Sequence, residues 1–433
     1  MRIAWFTPYS TKSAIAEFSQ NVCNVLASHC ELDLWISENT DLLPAQIRTV
    51  HYEPEQHLHE KLQRYDLVVY NMGDYLPYHD SLHTVLQQHS GLIILHDRVL
   101  HHFYASLYLS KMKDPEKYIS EMSLFYGVEG QEFAKSLDPS APALGTNEVT
   151  RFPLYERAIA NASGIVVHSP GHAELIRQRW IGPVKALFLP CYDRNIELAS
   201  SLPGNQSKNK LLLLTVGVVN RNKHSEIVID ALASHPRLAQ SVEYVIIGSY
   251  NEGDEYVRGL KNKISQCGLQ ETVKLMGYQP DAVLHEYLAR ADLFITLRLP
   301  AMEGASASLM QQLPFGKPIM AYDTGCYSEF PDDVIVKIPA GDTDAFIRKL
   351  TELVSNESLR SQIGGRAAKL AAQYSVQNYV EQMLDFFPEI QRQAPLLQLS
   401  DRVSQTLSWM GTEADMSVLH RCAELIADMF SLS

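Results

Sequence analysis

Short apolar runs alternate with longer amphipathic stretches along most of the chain. RIAWFTP predicts a strand that begins at residue 2 and stops at Pro8, and SAIAEFSQNVCNVLASH then places Ile15, Phe18, Val22, Val25 and Leu26 at helical spacing. LDLWIS predicts the next strand. YDLVVYNMG (65–73), GLIILHD (91–97) and GIVVHS (164–169) are apolar runs bounded by turn residues, the pattern of strands buried on both faces of a parallel sheet. PGHAELIRQRW, after the last of these, predicts a helix. The polar stretch LPCYDRNIELASSLPGNQSKNK (189–210) contains Pro and Gly and is the linker candidate. Beyond it the alternation restarts, with strands at 211–217, 242–248, 272–277, 292–297, 318–323 and 333–338 and helices at 223–234, 253–266, 281–290, 305–315 and 342–354.

Such alternation specifies βαβ units and a doubly wound sheet. The expected fold class is α/β, with two Rossmann-like domains over 1–188 and 209–375, a further helix over 376–393 and a helical tail over 394–433. The tail segments LSDRVSQTLSWMG and SVLHRCAELIADMF have the spacing of two amphipathic helices, which would pack on the N-terminal domain, pair with a second copy or join a partner. His101, His102 and most of HHFYASLYL are expected on a helix surface.

Length and charge narrow the function. At 433 residues the chain is long enough for two ordinary cores, and its 46% hydrophobic and 20% charged content is that of a globular protein. A net charge of -13 disfavours a nucleic-acid partner, which needs a basic footprint. The six cysteines form no CxxC pair, which argues against a disulfide framework or a zinc site and fits a reducing compartment. MRIAWFTPYS has too short an apolar run for a signal peptide, and no stretch approaches a membrane span. The expectation is a cytoplasmic protein, at most peripheral to the inner membrane.

In open α/β sheets ligands gather beyond the carboxyl ends of the strands. The first strand is followed by a small-residue turn at Ser13-Ala14, the strand at 91–95 by His96 and Asp97, the strand at 211–216 by GVVNRNKHSE with Lys223 near a helix start, and the strand at 292–297 by LPAMEGASAS. Gly304, Ala305, Ser306 and Ala307 stand at a predicted helix N-terminus, where backbone N–H groups and a partial positive charge suit phosphate. Lys223 would add a full charge to the same phosphates. Glu303 suits sugar hydroxyls instead. The first βα turn lacks GxGxxG, which disfavours a dehydrogenase.

PAMEGASASLMQQLPFGKPIMAYDTGCYSEFP resembles the donor segment of the retaining family 4 glycosyltransferases, an E-x7-E pattern followed by GKP, a strand and a turn. GYQPDAVLHEYLARADLFITLR resembles the stretch before it, and STKSAIAEFSQNV and LHDRVLHHF resemble N-terminal segments of bacterial polysaccharide-assembly members. The resemblance covers about residues 1–390 and implies a GT-B fold, with its two domains facing across a cleft. It further implies transfer of a sugar from a nucleotide-diphosphate sugar to an acceptor hydroxyl with retention of configuration. The implied acceptor is a glycan, lipid-linked or protein hydroxyl. No metal and no cofactor besides the donor are expected.

By the same resemblance, His96 would orient the donor sugar, Asp97 would hold that histidine or meet the acceptor, and Tyr278 would lie near the base. Three positions depart from the family pattern. Gln311, eight residues after Glu303, stands where the second acid meets ribose. Val218 stands where an Arg is frequent, with Arg221 closer to Lys223, and Ala14 stands where a Gly usually approaches the phosphates. The alternative function is a non-catalytic GT-B scaffold or partner subunit of a glycosylation complex. A nucleotide-sugar epimerase is a third reading.

Overall fold

The computed structural model describes residues 1–54, 58–139, 144, 146–192, 210–409 and 425. Its contacts divide it into two units, Met1–Phe188 with Met302–Gly304 and Tyr379–Ser433, and Leu189–Ala301 with Ala305–Asn378.

The first unit is built on β1 (Arg2–Phe6), β2 (Glu31–Ile36), β3 (Thr49–His51), β4 (Leu67–Met72), β5 (Gly91–Leu95), β6 (Ala162–Val167) and β7 (Val184–Ala186). They form one parallel sheet in the order β3-β2-β1-β4-β5-β6-β7. The central strands are buried on both faces, which explains their unbroken apolar sequence. Helix Ala14–Leu26 covers the sheet with Phe18, Val22 and Leu26. Phe6 stacks on Trp35 at 5.1 Å between ring centroids and meets the Tyr52 edge at 5.0 Å. Deleting a buried ring such as Phe6 would cost about 3–5 kcal/mol.

The expectation of a surface helix at HHFYASLYL is corrected. A helix does begin at His101, but His101, Phe103, Tyr104, Leu107, Tyr108 and Leu109 are buried. His101 Nδ1 donates to the Phe152 carbonyl, and its Nε2 then accepts from the Tyr118 hydroxyl at 2.7 Å. Burial pushes the His101 pKa down to about 4, so a neutral ring fits these two contacts. The cover is a helical segment, Pro115–Ser136, broken in two at Gly127 (φ 64°), that the apolar pattern did not reveal.

The second unit carries β8 (Leu211–Val216), β9 (Val242–Ile247), β10 (Val273–Gly277), β11 (Leu293–Thr296), β12 (Ile319–Tyr322) and β13 (Ile335–Ile338), parallel in the order β10-β9-β8-β11-β12-β13. The helix expected over 305–315 is shorter. It spans Ala307–Gln312 and tightens into a 3-10 turn at Leu313–Phe315, because Pro314 supplies no N–H and Gly316 turns left-handed at φ 62°. Of the linker candidate, 193–209 lies outside the described residues. One helix runs from Val376 to Trp409 through Pro388 and Pro395, continuous across 393–394, where a further helix and a separate tail were expected. The second expected tail helix lies outside the described residues apart from Leu425. Among the described residues no helix is long and apolar enough to cross a membrane.

Candidate functional site

Each sheet reverses its winding at one place, between β1 and β4 in the first unit and between β8 and β11 in the second. Ligands of doubly wound sheets bind beyond the strand ends at this reversal.

In the first unit a line of polar groups crosses the carboxyl ends of five strands. Asn71, the one amide in the buried run of β4, donates from Nδ2 to the Phe6 carbonyl at 3.0 Å. Its Oδ1 lies 3.1 Å from His96 Nε2, His96 Nδ1 lies 3.1 Å from His168 Nε2, and His168 Nδ1 lies 3.1 Å from the Leu187 carbonyl. His96 follows β5, His168 follows β6 and Leu187 follows β7. Phe18 sets its edge against both imidazoles, with centroids at 4.8 and 5.7 Å. Both ring nitrogens of His96 therefore have protein partners.

The main chain of this strand end reaches further. The His96 carbonyl accepts the Gly304 N–H at 3.2 Å, and Asp97 and Glu303 form an isolated antiparallel bridge. A Cβ on Gly304 would stand 2.8 Å from the His96 oxygen, so this approach requires glycine. His96, Asp97, Glu303 and Gly304 are thus brought together.

Asp97 carries the most perturbed carboxyl of the group. Its pKa is raised to about 7, chiefly by burial, with the Asp74 and Glu303 charges acting in the same direction and the Asp74 N–H, donated to its Oδ2 at 2.9 Å, opposing the rise. Asp74 accepts from His102 Nδ1 at 2.8 Å and from the Phe103 N–H at 2.8 Å. That bond raises the His102 pKa, and burial raises that of Asp74. His79 and His172 are pushed down by burial to about 4 and about 3. Asn71, Asp74, His102 and His168 were not singled out as site residues from the sequence. The signal for two of them was present: an amide inside an apolar strand, and a histidine just past a strand, as at His96.

Ser13 is buried at the N-terminus of helix Ala14–Leu26, with its N–H on the Ser10 carbonyl at 2.9 Å. Ala14 is exposed and is not among the residues of positive φ, so its methyl group is accommodated without strain.

In the second unit Lys223 is buried, 3% exposed, and its ammonium donates to the Val216 carbonyl at the end of β8. It closes a 3-10 turn, Arg221–Lys223, after which His224 is left-handed at φ 48° and helix Ser225–Ser234 begins. Gly217, at φ 109°, makes the room: a Cβ there would stand 2.7 Å from Lys223 Nζ. The loop is tied to the one after β11 by Leu299 N–H on the Asn222 carbonyl at 3.1 Å. Arg221 is exposed and lies 5.8 Å over the Tyr256 ring. Tyr278, after β10, is 74% exposed.

Ala305 precedes Ser306, the N-cap of helix Ala307–Gln312, whose Oγ accepts the Leu309 N–H at 3.3 Å. Gln311 is half-buried in the last turn, while Gln312 beside it is fully buried and accepts from Thr296 Oγ1 at 2.9 Å. Among the described residues no group of three or more His, Cys, Asp or Glu has a metal-holding arrangement.

Residues 202–370 match the family model described as Glycosyl transferases group 1. The amylovoran biosynthesis glycosyltransferase AmsK of Erwinia amylovora is 29% identical over 157 residues, 34% of this chain and 37% of that protein, so the match spans little more than a third of AmsK. Anabaena HepE, solved in complex with UDP and glucose, superposes with a TM-score of 0.62 at 15% identity, covering 90% of this chain and 99% of that one. Sucrose-phosphate synthase from Thermosynechococcus elongatus gives 0.60 at 15% identity, with 90% and 99% covered. The chain therefore has the GT-B fold, and residues 202–370 of it are similar to glycosyl transferases group 1.

Proposed function

We propose that the protein is a retaining glycosyltransferase of family 4 that moves a sugar from a nucleotide-diphosphate sugar to an acceptor hydroxyl in bacterial glycan synthesis. The observation that carries this reading is the buried Lys223 ammonium, held at the end of β8 beside Gly217 in the domain that matches the group 1 family. A full positive charge fixed there would stabilise the departing diphosphate without reorganisation. Arg221 and the Ala305–Ala307 segment would assist it, the Gly304 N–H being held by the His96 carbonyl, and Ser13 and Ala14 are further donor contacts in this proposal. Glu303 would take sugar hydroxyls, Gln311 the ribose, and the Tyr278 region the base. Asp97 would meet the sugar or the acceptor through its carboxyl. His96, whose ring nitrogens are both engaged, would act through its carbonyl on Gly304. No step in this scheme is assigned to a metal ion.

The test is thermal unfolding with UDP, GDP, ADP, dTDP and CMP, each without and with Mg²⁺. A ligand at 100 times its Kd stabilises by about 2.7 kcal/mol. The expected result is a metal-independent rise with one nucleotide, followed by release of that nucleotide from its sugar conjugate. Flat traces throughout would overturn the proposal. They would favour a non-catalytic scaffold, the reading to which the uncharged Gln311 already lends weight.

A further inference from the structure

The line across the first sheet has an acceptor at each end. Asn71 spends its Nδ2 on the Phe6 carbonyl and so presents Oδ1 to His96, and the far end is the Leu187 carbonyl. His96 Nε2 must donate at one end and His168 Nδ1 at the other, and the contact between the rings needs a hydrogen of its own. Two neutral imidazoles carry one ring proton each. Whatever tautomers are chosen, a neutral pair leaves one of these contacts with two lone pairs facing at 3.1 Å. Turning the Asn71 amide over only moves the conflict to the Phe6 carbonyl. One additional proton satisfies every contact at once.

We propose that His96 and His168 take up a single shared proton as one unit, and that His168 is thereby a positioning residue for the His96 strand end on which Gly304 is docked. Its bearing on sugar transfer rests on the function proposed above; the proton count rests on the contacts alone. Burial opposes the charge on both rings. The completed chain of charge-assisted bonds favours it. Neighbouring groups act in both directions. His79 on helix Leu76–Leu86 and His172 on helix Pro170–Arg177 are buried, which pushes both of their pKa values down, the Tyr379 ring packs on His168 at 6.2 Å, and the carboxyl of Asp97 follows His96 directly. A second proton would place two charges on hydrogen-bonded rings, so the pair binds one and no more.

The test is long-range proton–nitrogen correlation on the full chain labelled with ¹⁵N-histidine, followed between about pH 4 and 8. His168→Gln and His96→Gln assign the signals. Both rings are expected to move together through one midpoint, with a total change of one proton for the two. Asn71→Leu removes an end acceptor. Two protons then suffice, so the shared midpoint should fall at least tenfold in proton affinity. Separate midpoints, rings that stay neutral throughout, or an unchanged midpoint in Asn71→Leu would each overturn the proposal. The wild-type spectra decide the question even if a variant does not fold. Nucleotide-induced thermal shifts report on the proposed function independently.

Discussion

The ammonium of Lys223 lies 2.7 Å from the point where a Cβ on Gly217 would stand, so the glycine and the buried cation share one space at the end of β8. Gly217→Ala should displace Lys223 and strain a backbone at φ 109°, lowering stability by about 1–3 kcal/mol. It should also weaken nucleotide-diphosphate binding. Lys223→Met keeps the length and removes the charge, and a lost charged hydrogen bond predicts roughly tenfold to hundredfold weaker binding. Calorimetric titration with the nucleotide found by thermal shift checks both. Equal affinity in Lys223→Met would remove the lysine from the phosphate site.

Asp97 gives a pH signature with a defined sign. Its folded pKa, about 7, lies above the ordinary 3.8, so the native state binds the proton more tightly than the unfolded chain. Stability from this group is present at acid pH and is lost as pH rises from about 4 to 7, at no more than about 1.4 kcal/mol per unit. Asp97→Asn imitates the protonated form and can still accept the Asp74 N–H. Melting curves of the two proteins should run together near pH 4 and diverge toward pH 8, with the variant more stable there. Parallel curves would contradict the buried carboxyl.

His102 has the opposite charge type and a raised pKa caused by its bond to Asp74. Its contribution is present in full below the unfolded value of 6.5 and is lost as pH rises through the higher folded value. Asp74→Asn retains an oxygen for the Phe103 N–H but removes the charge. The His102 titration, followed by NMR, should then move down toward 6.5. A midpoint that does not move would mean that Asp74 is not its cause.

Gly304→Ala would place a methyl group 2.8 Å from the His96 carbonyl oxygen, a backbone atom that cannot rotate away. A destabilisation of about 1–3 kcal/mol is expected, together with loss of transfer. Denaturant unfolding and a donor-turnover assay measure the two effects, and full activity at native stability would show that this docking is dispensable.

Gln311→Glu restores the acid of the E-x7-E pattern. If residue 311 meets ribose, exchanging a neutral acceptor for a charged one should tighten nucleotide binding by about 1 kcal/mol, roughly fivefold. Unchanged or weaker binding would place Gln311 outside the ribose contact.

The doubly wound architecture was legible because central parallel strands are buried on both faces. LVVYNM, GLIIL, ASGIVV and LLLLTV announce themselves as apolar runs of strand length. Lys223 and Glu303 could be placed beyond strand ends because each follows such a run. HHFYASLYL misled, because its cover is the Pro115–Ser136 segment, two helices that meet at a kink at Gly127 and so show no single continuous apolar stripe.

The sequence by itself determined the longer strands, their alternation with helices and the residues standing at their ends, because these follow from local periodicity and turn chemistry; the three-residue edge strands β3 and β7 are too short to show a pattern. Strand order was settled only by tertiary structure. Placing β4, β5 and β6 side by side lines up Asn71, His96 and His168, residues far apart in the chain, into one hydrogen-bonded row. The same packing puts Gly304 on the His96 carbonyl and Lys223 in the space that Gly217 leaves open. These contacts depend on distances across the sheet and between loops, which no local pattern along the chain encodes.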